Sequence, residues 1–453
     1  MFFKKSRSQK YVKAGFLKYK LNNLQGAIED YSKAINLDPN FSNAFFKRGL
    51  AKDDLEDLYG AIEDYSKVLE LEPENLNNLL FQETLRHRSH AKFRIGDFKG
   101  AIEDLSKVID LNPKYDNVFY QRGLIKYDLK DFEGAIEDYS KAIELNPLDH
   151  HPVAVRGNAK VRLKDFEDAI GDYSKAIELK PESEFSYFWR GGAKCELGDL
   201  QGAIKDCSTA IEINPKNGYG YGNRGKAKNK LGDIKGAIED YSKAINLDPS
   251  YYDAFFSRGT AKEELEDFKG AIEDYTKAIE LNPDNSDYFY FKRGLTKDKL
   301  EDFEGAIGDY SKAIELNPDW QFYYANRGLS KGNLQDFEGA IEDISEAIEL
   351  TNPEYEFLHE YYFNRGMAKE ELEDFKGAIE DYTKAIELNP DYENAYFSRG
   401  FAKSQVVDYK SAIEDYSKVI ELNPFNKEAT KERSNAYRSL SGIDKDKYEG
   451  IDY

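Results

Sequence analysis

One fourteen-residue pattern recurs along the chain and limits what the chain can fold into. It reads GAIEDYSKAINLDP at residues 26–39 and SAIEDYSKVIELNP at residues 411–424, and the chain holds twelve copies. Eight of the eleven spacings between successive copies are 34 residues, and the others are 35, 38 and 40 residues. Self-similarity at such a period is the signature of a repeat architecture, in which each unit packs mainly on its neighbours.

Each copy predicts two helices. In the second copy, Ala61, Tyr65 and Val68 recur at steps of four and three residues, which places them in one apolar stripe. Pro73 then ends that helix. The preceding helix carries Gly49, which we expect to admit a neighbouring backbone. One such pair cannot bury its stripe alone, so the sequence predicts an all-α stack of helix pairs.

These residues resemble the tetratricopeptide repeat (TPR) family. The family pattern is an early aromatic residue, a small residue four positions later, and then Ala, Tyr, Ala and Pro, carried in the first copy by Tyr11, Gly15, Ala27, Tyr31, Ala34 and Pro39. Over residues 8–424 the resemblance implies a right-handed α-solenoid, a superhelix of about twelve helix-turn-helix units with a concave groove, as in long bacterial and especially cyanobacterial arrays. We also expect a short basic N-terminal arm at 1–7, a capping helix at 425–442 and a flexible acidic tail at 443–453.

The charge balance argues against a surface built for polyanions. The chain has 85 Asp and Glu against 64 Lys and Arg, a formal net charge of −21. Only a local patch could therefore bind nucleic acid or anionic lipid. Cys195 and Cys207 lack the spacing of a disulfide framework or zinc module, and no apolar run predicts a signal peptide or membrane span. We expect a cytoplasmic location.

The repeats depart from the family pattern in a recurring set of charges. Eleven copies carry Arg, from Arg48 to Arg399, where the family usually has Leu, and each copy carries Lys four residues later. The second helix holds Asp at one place in all twelve copies. One hypothesis is a ladder of partly buried pairs, with cationic stems covering apolar surface and their heads meeting Asp. The alternative is solvated helix faces, worth about 0.3–0.5 kcal/mol per pair.

Two motifs suggest chemistry but fit the repeat better. GYGNRG at 220–225 matches GxGxxG, yet a helix and Pro215 precede it where a dinucleotide site needs a strand. The paired carboxylates of the second helix recur in most copies, whereas a catalytic site is singular. We therefore predict no catalytic residue, no cofactor and no enzyme activity.

Histidines near carboxylates are candidate metal ligands. His87 and His90 accompany Glu83, but the two histidines point about 60° apart on a helix and no fourth ligand is evident. His150 and His151 are adjacent, so we expect them to diverge on a helix. The sequence therefore predicts no metal site.

The groove-facing stripe of the first helices is unusual in the middle of the array. Residues 84–96, 150–164 and 215–232 contain no acid, whereas the stripe turns acidic at Asp53, Asp54, Glu263, Glu264, Glu370 and Glu371. Aromatic residues between the basic stretches would give an extended peptide apolar contacts. The candidate peptide-binding residues are Arg86, His90, Arg94, Tyr120, Tyr127, Asn158, Arg162, Phe188, Lys226, Asn229 and Lys230.

We interpret the chain as a non-catalytic scaffold or adaptor that binds a peptide segment or partner protein in the groove, with an acidic segment at repeats three to seven. Two alternatives stay open: a helical-repeat nucleic-acid binder that uses the basic groove, and the TPR part of an assembly-factor or chaperone complex. Asn158, Lys226, Asn229 and Lys230 match the family's chaperone-tail clamps in residue type but not in order. An insertion at 74–85 predicts a third-repeat first helix longer by more than a turn, and residues 351–358 mark a second irregularity.

Overall fold

The computed structural model describes residues 2–72 and 78–448. Within these residues the chain forms twenty-five α-helices, one short 3₁₀ helix and no strand, which confirms the all-α prediction. The helices form two compact units, Met1–Leu231 and Gly232–Tyr453. In the part of the chain that the structure describes, no helix combines the length and apolar character needed to cross a membrane.

Consecutive helices pack as pairs within each unit. The first unit holds α1 Phe2–Lys20, α2 Leu24–Leu37, α3 Ser42–Asp54, α4 Leu58–Leu71, α5 Leu79–Arg94, α6 Phe98–Leu111, α7 Asp116–Asp128, α8 Phe132–Leu145, α9 His150–Arg162, α10 Phe166–Leu179, α11 Glu184–Glu196, α12 Leu200–Ile213 and α13 Gly218–Leu231. The second unit holds α14 Ile234–Leu247, α15 Tyr252–Glu264, α16 Phe268–Leu281, the 3₁₀ helix Pro283–Asn285, α17 Asp287–Asp298, α18 Phe303–Leu316, α19 Gln321–Asn333, α20 Phe337–Leu350, α21 Leu358–Glu371, α22 Phe375–Leu388, α23 Glu393–Gln405, α24 Tyr409–Leu422 and α25 Lys427–Tyr448. Odd-numbered helices up to α23 are the first helices of repeats, and even-numbered helices are the second.

A tight turn joins the two helices of a repeat. In the fourth repeat, Lys130 adopts a left-handed conformation with φ 63°, and its N–H donates to the Tyr127 carbonyl at 2.9 Å. Asp131 then caps α8, because its Oδ1 accepts the N–H of Gly134 at 3.0 Å. This satisfies one of the backbone donors that a helix N-terminus leaves unpaired.

The repeat glycine makes room for a ring. A Cβ on Gly49 would lie 2.6 Å from Cε1 of Tyr65, and a Cβ on Gly123 would lie 2.6 Å from Cε1 of Tyr139. Both tyrosines are fully buried. The tyrosine of the same repeat's second helix takes this space. At the equivalent Gly259 and Gly328, a Cβ would also lie 3.3 and 3.2 Å from the backbone oxygens of Ala271 and Ala340, so the expected close approach of a neighbouring backbone is confirmed there.

Some helix bounds differ from those expected. Helix α5 has 16 residues against 13 in α3, so the described part of the insertion lengthens the helix by less than one turn; residues 73–77 lie outside the described residues. At the ends, α1 begins at Phe2, within the expected arm, and α25 continues past residue 442 to Tyr448. Residues 449–453 of the expected tail lie outside the described residues.

Candidate interaction surface

The recurring charges form a buried ladder. In the fourth repeat, Asp138 accepts hydrogen bonds from Arg122 Nε at 2.9 Å and Nη2 at 2.6 Å, and Lys126 Nζ lies 2.9 Å from its Oδ2. Arg122 Nη1 donates to Ser106 Oγ of the preceding repeat at 2.9 Å. One arginine therefore joins α6, α7 and α8.

The same arrangement recurs with little change. Asp138 is only 3% exposed, so its charge is compensated inside the stack rather than by water. Equivalent Arg–Asp pairs are Arg48–Asp64, Arg88–Asp104, Arg156–Asp172, Arg190–Asp206, Arg258–Asp274, Arg293–Asp309, Arg327–Asp343, Arg365–Asp381 and Arg399–Asp415. The ladder hypothesis is confirmed, and the alternative of solvated helix faces is wrong.

The ladder contacts lower the pKa of the Asp206 carboxyl. Burial alone would raise the pKa of Asp206, but hydrogen bonds from Arg190 and Lys194 outweigh burial and hold that pKa below its ordinary value. Arg88 and Lys92 belong to the same ladder, because both pair with Asp104. Two of the basic side chains in the stretch 86–94 are therefore structural.

The remaining basic residues of the stretch, Arg86 and Arg94, lie on the first-helix surface. We define this surface as the side chains of successive first helices that do not belong to the ladder. Arg94 Nη1 lies 3.0 Å from Asp53 Oδ1 of the preceding repeat, and Nη2 pairs with Glu56. Arg86 Nη1 lies 3.0 Å from Glu83 and 2.7 Å from the Tyr115 hydroxyl. The positive charge predicted for this region is largely compensated.

The lysines of α13 show the same compensation. Lys226 Nζ lies 2.5 Å from Glu196 Oε1, and Lys230 Nζ lies 3.2 Å from Oε2. The acid-free stretches 84–96 and 215–232 exist in the sequence, but acids from one repeat earlier meet both of them in space. Comparing each first-helix position with its equivalent in the preceding repeat would have revealed these partners. Asn229, between the two lysines in sequence, is half-buried.

The other candidate residues divide between surface and interior. Phe188 is 2% exposed and stacks on Tyr219 with ring centroids 5.8 Å apart, so its predicted role as a groove contact is wrong. Tyr120 and Tyr127 are half-buried. The Asn158 carbonyl oxygen accepts the Tyr173 hydroxyl at 2.7 Å.

Arg162 remains available. Its guanidinium lies 5.7 Å from the Phe132 ring centroid, and no carboxylate among the described residues forms an ion pair with it. It therefore keeps an uncompensated charge at the end of α9.

A cavity of about 410 Å³ opens between α5 and α7. It is lined by Ser89, His90, Phe93, Leu105, Asn117, Tyr120, Gln121, Leu124, Ile125 and Asp128, and we call it the Leu105 cavity. Leu105 occupies the place that Tyr139 fills in the next repeat, and Ser89 occupies the place of Gly123. The space follows from the missing tyrosine ring, and both candidate residues His90 and Tyr120 border it.

A cavity of about 400 Å³ lies between α19 and α21, where Ile344 replaces the repeat tyrosine. We call it the Ile344 cavity. Gly332, Asn333, Met367 and Glu371 lie among its lining residues.

The histidines near the array's middle are mostly structural. His87 packs against Phe46 and Tyr65, with ring centroids 5.6 and 6.0 Å away, and burial lowers its pKa. It is therefore a half-buried packing residue. GYGNRG, at 220–225, lies inside α13, so it forms no phosphate-binding turn.

His150 and His151 do not diverge, contrary to prediction. Their ring centroids are 3.9 Å apart, because they begin α9 and no preceding turn restricts their rotamers. With Asp149 they offer three ligand atoms within 4.8 Å of one another. Asp149 already caps α9 through the His151 N–H at 3.0 Å, and burial, His151 and Lys180 lower the pKa of His150. The helix N-terminus and Lys180 both oppose a cation there.

Comparison with known proteins gives a consistent result. Family models described as tetratricopeptide repeat or TPR repeat match residues 15–52, 42–75, 117–148, 155–218, 225–265, 252–285, 288–319, 359–392 and 393–426. No curated protein sequence gave a match.

Solved structures also resemble the chain. A tetratricopeptide repeat protein from Parabacteroides merdae is 19% identical, with a TM-score of 0.50 over 56% of this chain and 98% of that chain. The crystal structure of MamA is 28% identical, with a TM-score of 0.34 over 35% of this chain and 93% of that chain. The APC/C hetero-tetramer Cut9–Hcn1 is 14% identical, with a TM-score of 0.39 over 95% and 96% of the two chains. The first of these likenesses supports the fold alone.

Proposed function

The chain belongs to the tetratricopeptide repeat family, and from this premise we propose that it is a non-catalytic scaffold that binds an extended segment of a partner protein on the first-helix surface. The observation that carries the proposal is the Leu105 cavity. It is an unfilled, largely apolar space of about 410 Å³ on the first-helix surface. Concave apolar spaces with a few polar groups are the usual form of a binding site.

The cavity suits a large apolar side chain. Phe93, Leu124 and Ile125 supply apolar walls, while Asn117 and Gln121 supply amide groups. An extended segment needs hydrogen bonds for its backbone N–H and C=O groups when it leaves water. The amides can provide them while the anchor side chain displaces water from the cavity.

The proposed segment also carries an acidic residue beside its apolar anchor. Arg162 has an uncompensated charge, whereas an acidic segment at Arg94 or Lys226 would compete with acids already bound there. Acidic recognition within repeats three to seven therefore centres on Arg162, with His90 at the cavity. We propose a cytoplasmic location, supported by two free, buried cysteines.

Filling the cavity tests this function. Peptides selected from a random 12-residue display library on the full chain are titrated against wild type and against Ser89→Gly/Leu105→Tyr, which rebuilds the glycine–tyrosine packing of the other repeats. We expect the selected peptides to bind the double variant at least tenfold more weakly, while Ile344→Tyr in the second unit leaves them unchanged. Selection without enrichment, or equal affinity for wild type and Ser89→Gly/Leu105→Tyr, refutes the proposed site.

A substitution at Arg162 tests whether the bound segment must carry an acidic residue. Arg162→Glu should weaken the selected peptides at least fivefold, and replacing the peptide's acidic residue with its amide should remove the difference between wild type and variant. Peptides that contain no acid and are insensitive to Arg162→Glu would contradict the acidic preference while leaving the cavity proposal intact.

A further inference from the structure

Three carboxylates on the first-helix surface, Asp53, Glu196 and Glu263, receive a cation from the next repeat. Glu263 lies 2.9 Å from Nζ of Lys292, in α17, and 2.7 Å from Nζ of Lys299, the residue that follows α17, and it also accepts the Tyr275 hydroxyl at 2.9 Å. Asp53 is paired in the same way by Arg94 of the following first helix. A half-buried carboxylate is stabilised when such a partner is present.

Asp298 and Glu370 occupy the position of Glu263 in later repeats but have no such partner. Asp298 accepts the hydroxyls of Tyr310 at 2.5 Å and Ser330 at 2.8 Å, and Glu370 accepts the Tyr382 hydroxyl at 2.9 Å. No Lys, Arg or His among the described residues forms an ion pair with either carboxylate.

The sequence explains the missing cations. The residues that correspond to Lys299 in the following repeats are Asn333 and Gln405, which carry no charge. Burial, as the largest cause, raises the pKa of both Asp298 and Glu370. Each carboxylate therefore loses water without gaining a counter-charge.

The Ile344 cavity lies between these two carboxylates along the second unit. Asp298 accepts a hydrogen bond from Ser330 of α19, and Glu370 directly precedes Glu371, which lines the cavity from α21. Gly332 takes the place of the acid in the intervening repeat, and a Cβ there would meet only Ala340 Cβ at 4.0 Å. The surface between the two acids is therefore open, and Glu371 adds negative charge to its edge.

We propose that the second unit binds an extended partner segment through two lysine or arginine side chains, one at Asp298 and one at Glu370, with the segment crossing the Ile344 cavity between them. The argument is charge complementarity: the incoming cations take the place that Lys292 and Lys299 fill beside Glu263. The site is independent of the Leu105 cavity, since it lies in the other unit and selects the opposite charge.

The spacing of the cations follows from helix packing. Neighbouring packed helices are about 8–10 Å apart, so two repeats separate the carboxylates by roughly 20 Å. An extended segment covers this distance in about six residues at about 3.3 Å per residue. The segment therefore carries its two cations about six positions apart.

The test uses fluorescein-labelled 12-residue peptides that carry Lys, Gln or Glu at positions 3 and 9 and are otherwise identical. Wild-type protein should bind the Lys peptide at least tenfold more tightly than the Gln peptide, and the Glu peptide most weakly, by fluorescence anisotropy at 0.15 M salt. Asp298→Asn/Glu370→Gln should remove the preference. Asn333→Lys/Gln405→Lys should also remove it, because the new lysines supply the missing cations from within the chain.

A matched control separates this site from general attraction to an acidic protein. Glu315→Gln/Glu387→Gln changes the net charge by the same amount as Asp298→Asn/Glu370→Gln, but its residues are exposed on second helices and pair with Lys312 and Lys384. The control should bind the Lys peptide like wild type. Equal weakening in the control, or no weakening in Asp298→Asn/Glu370→Gln, overturns the proposal. Ser89→Gly/Leu105→Tyr should leave this binding unchanged, so each site's failure is visible separately.

Discussion

Replacing Asp138 with asparagine removes the only carboxylate of one ladder step while preserving its shape. In wild type, Oδ1 and Oδ2 accept Arg122 at 2.6 and 2.9 Å, and Lys126 Nζ lies 2.9 Å from Oδ2. The amide group of asparagine turns donor hydrogens toward at least one of these cationic donors. Two cations then lose their counter-charge, and one hydrogen bond is replaced by a donor facing a donor.

The expected cost can be worked from burial. Breaking a fully buried ion pair from one side costs about 3–5 kcal/mol. The side chains of Arg122 and Lys126 each keep 18% exposure, so water stabilises them partly, and we expect the lower end, about 3 kcal/mol. In a repeat array this cost falls on the local opening of neighbouring repeats rather than on a single global transition.

Native-state hydrogen exchange measures that local opening. Amides of α7 and α8 should exchange about 100-fold faster in Asp138→Asn, the factor that corresponds to about 3 kcal/mol, and the urea midpoint should fall. Glu144→Gln serves as the control, because its pair with Lys141 is exposed on both sides and should be worth less than about 0.5 kcal/mol. If the two variants change exchange equally, the ladder is not a stabilising network.

Three further predictions concern single positions, each checked by urea unfolding. Gly123→Ala should destabilise by about 1–3 kcal/mol, because its Cβ would lie 2.6 Å from Tyr139, whereas Gly171→Ala, with nothing within 4 Å, should stabilise by about 1 kcal/mol through helix propensity; the same sign for both would contradict the packing argument. Asp131→Ala should cost about 1 kcal/mol by removing the α8 cap, and an unchanged midpoint would contradict that role. Glu370→Gln should raise stability at pH 7. Burial raises the pKa of Glu370 in the folded state, so the native protein binds the Glu370 proton more tightly than the unfolded chain does. The ionised carboxylate therefore destabilises the folded protein fully above the folded-state pKa. The gain from Gln should therefore shrink as pH falls toward the ordinary value of 4.5, and a gain independent of pH would be inconsistent with this origin.

The fold could be predicted because it follows from the periodic pattern of the sequence. The stripe of Ala61 and Tyr65 and the helix-ending prolines specify helix pairs in every copy, and the matched counts of Arg, Lys and Asp predicted the ladder. These features depend on residues within one repeat or between adjacent ones. Their partners therefore lie at constant sequence offsets.

The candidate site was less predictable because its partners change from repeat to repeat. Arg94 lies in a stretch without acids, yet Asp53 of the preceding first helix and Glu56 of the turn after that helix pair with it. Phe188 seemed a surface residue, but the glycine-rich α13 lets Tyr219 cover it. Both results depend on contacts between side chains of two different repeats. Counting charges along the sequence does not reveal such contacts.

The steps of the ladder make whole repeats interchangeable. Ser106, Arg122 and Asp138 lie 16 residues apart in turn, so a recombination event that deletes or duplicates one 34-residue repeat restores every ladder contact at the new junction. The Glu263–Lys299 pair has no such freedom, since it joins two particular neighbours. The number of repeats can therefore change by unequal crossing-over at small energetic cost. A surface pair, in contrast, is kept only when the two repeats that contribute its residues stay adjacent.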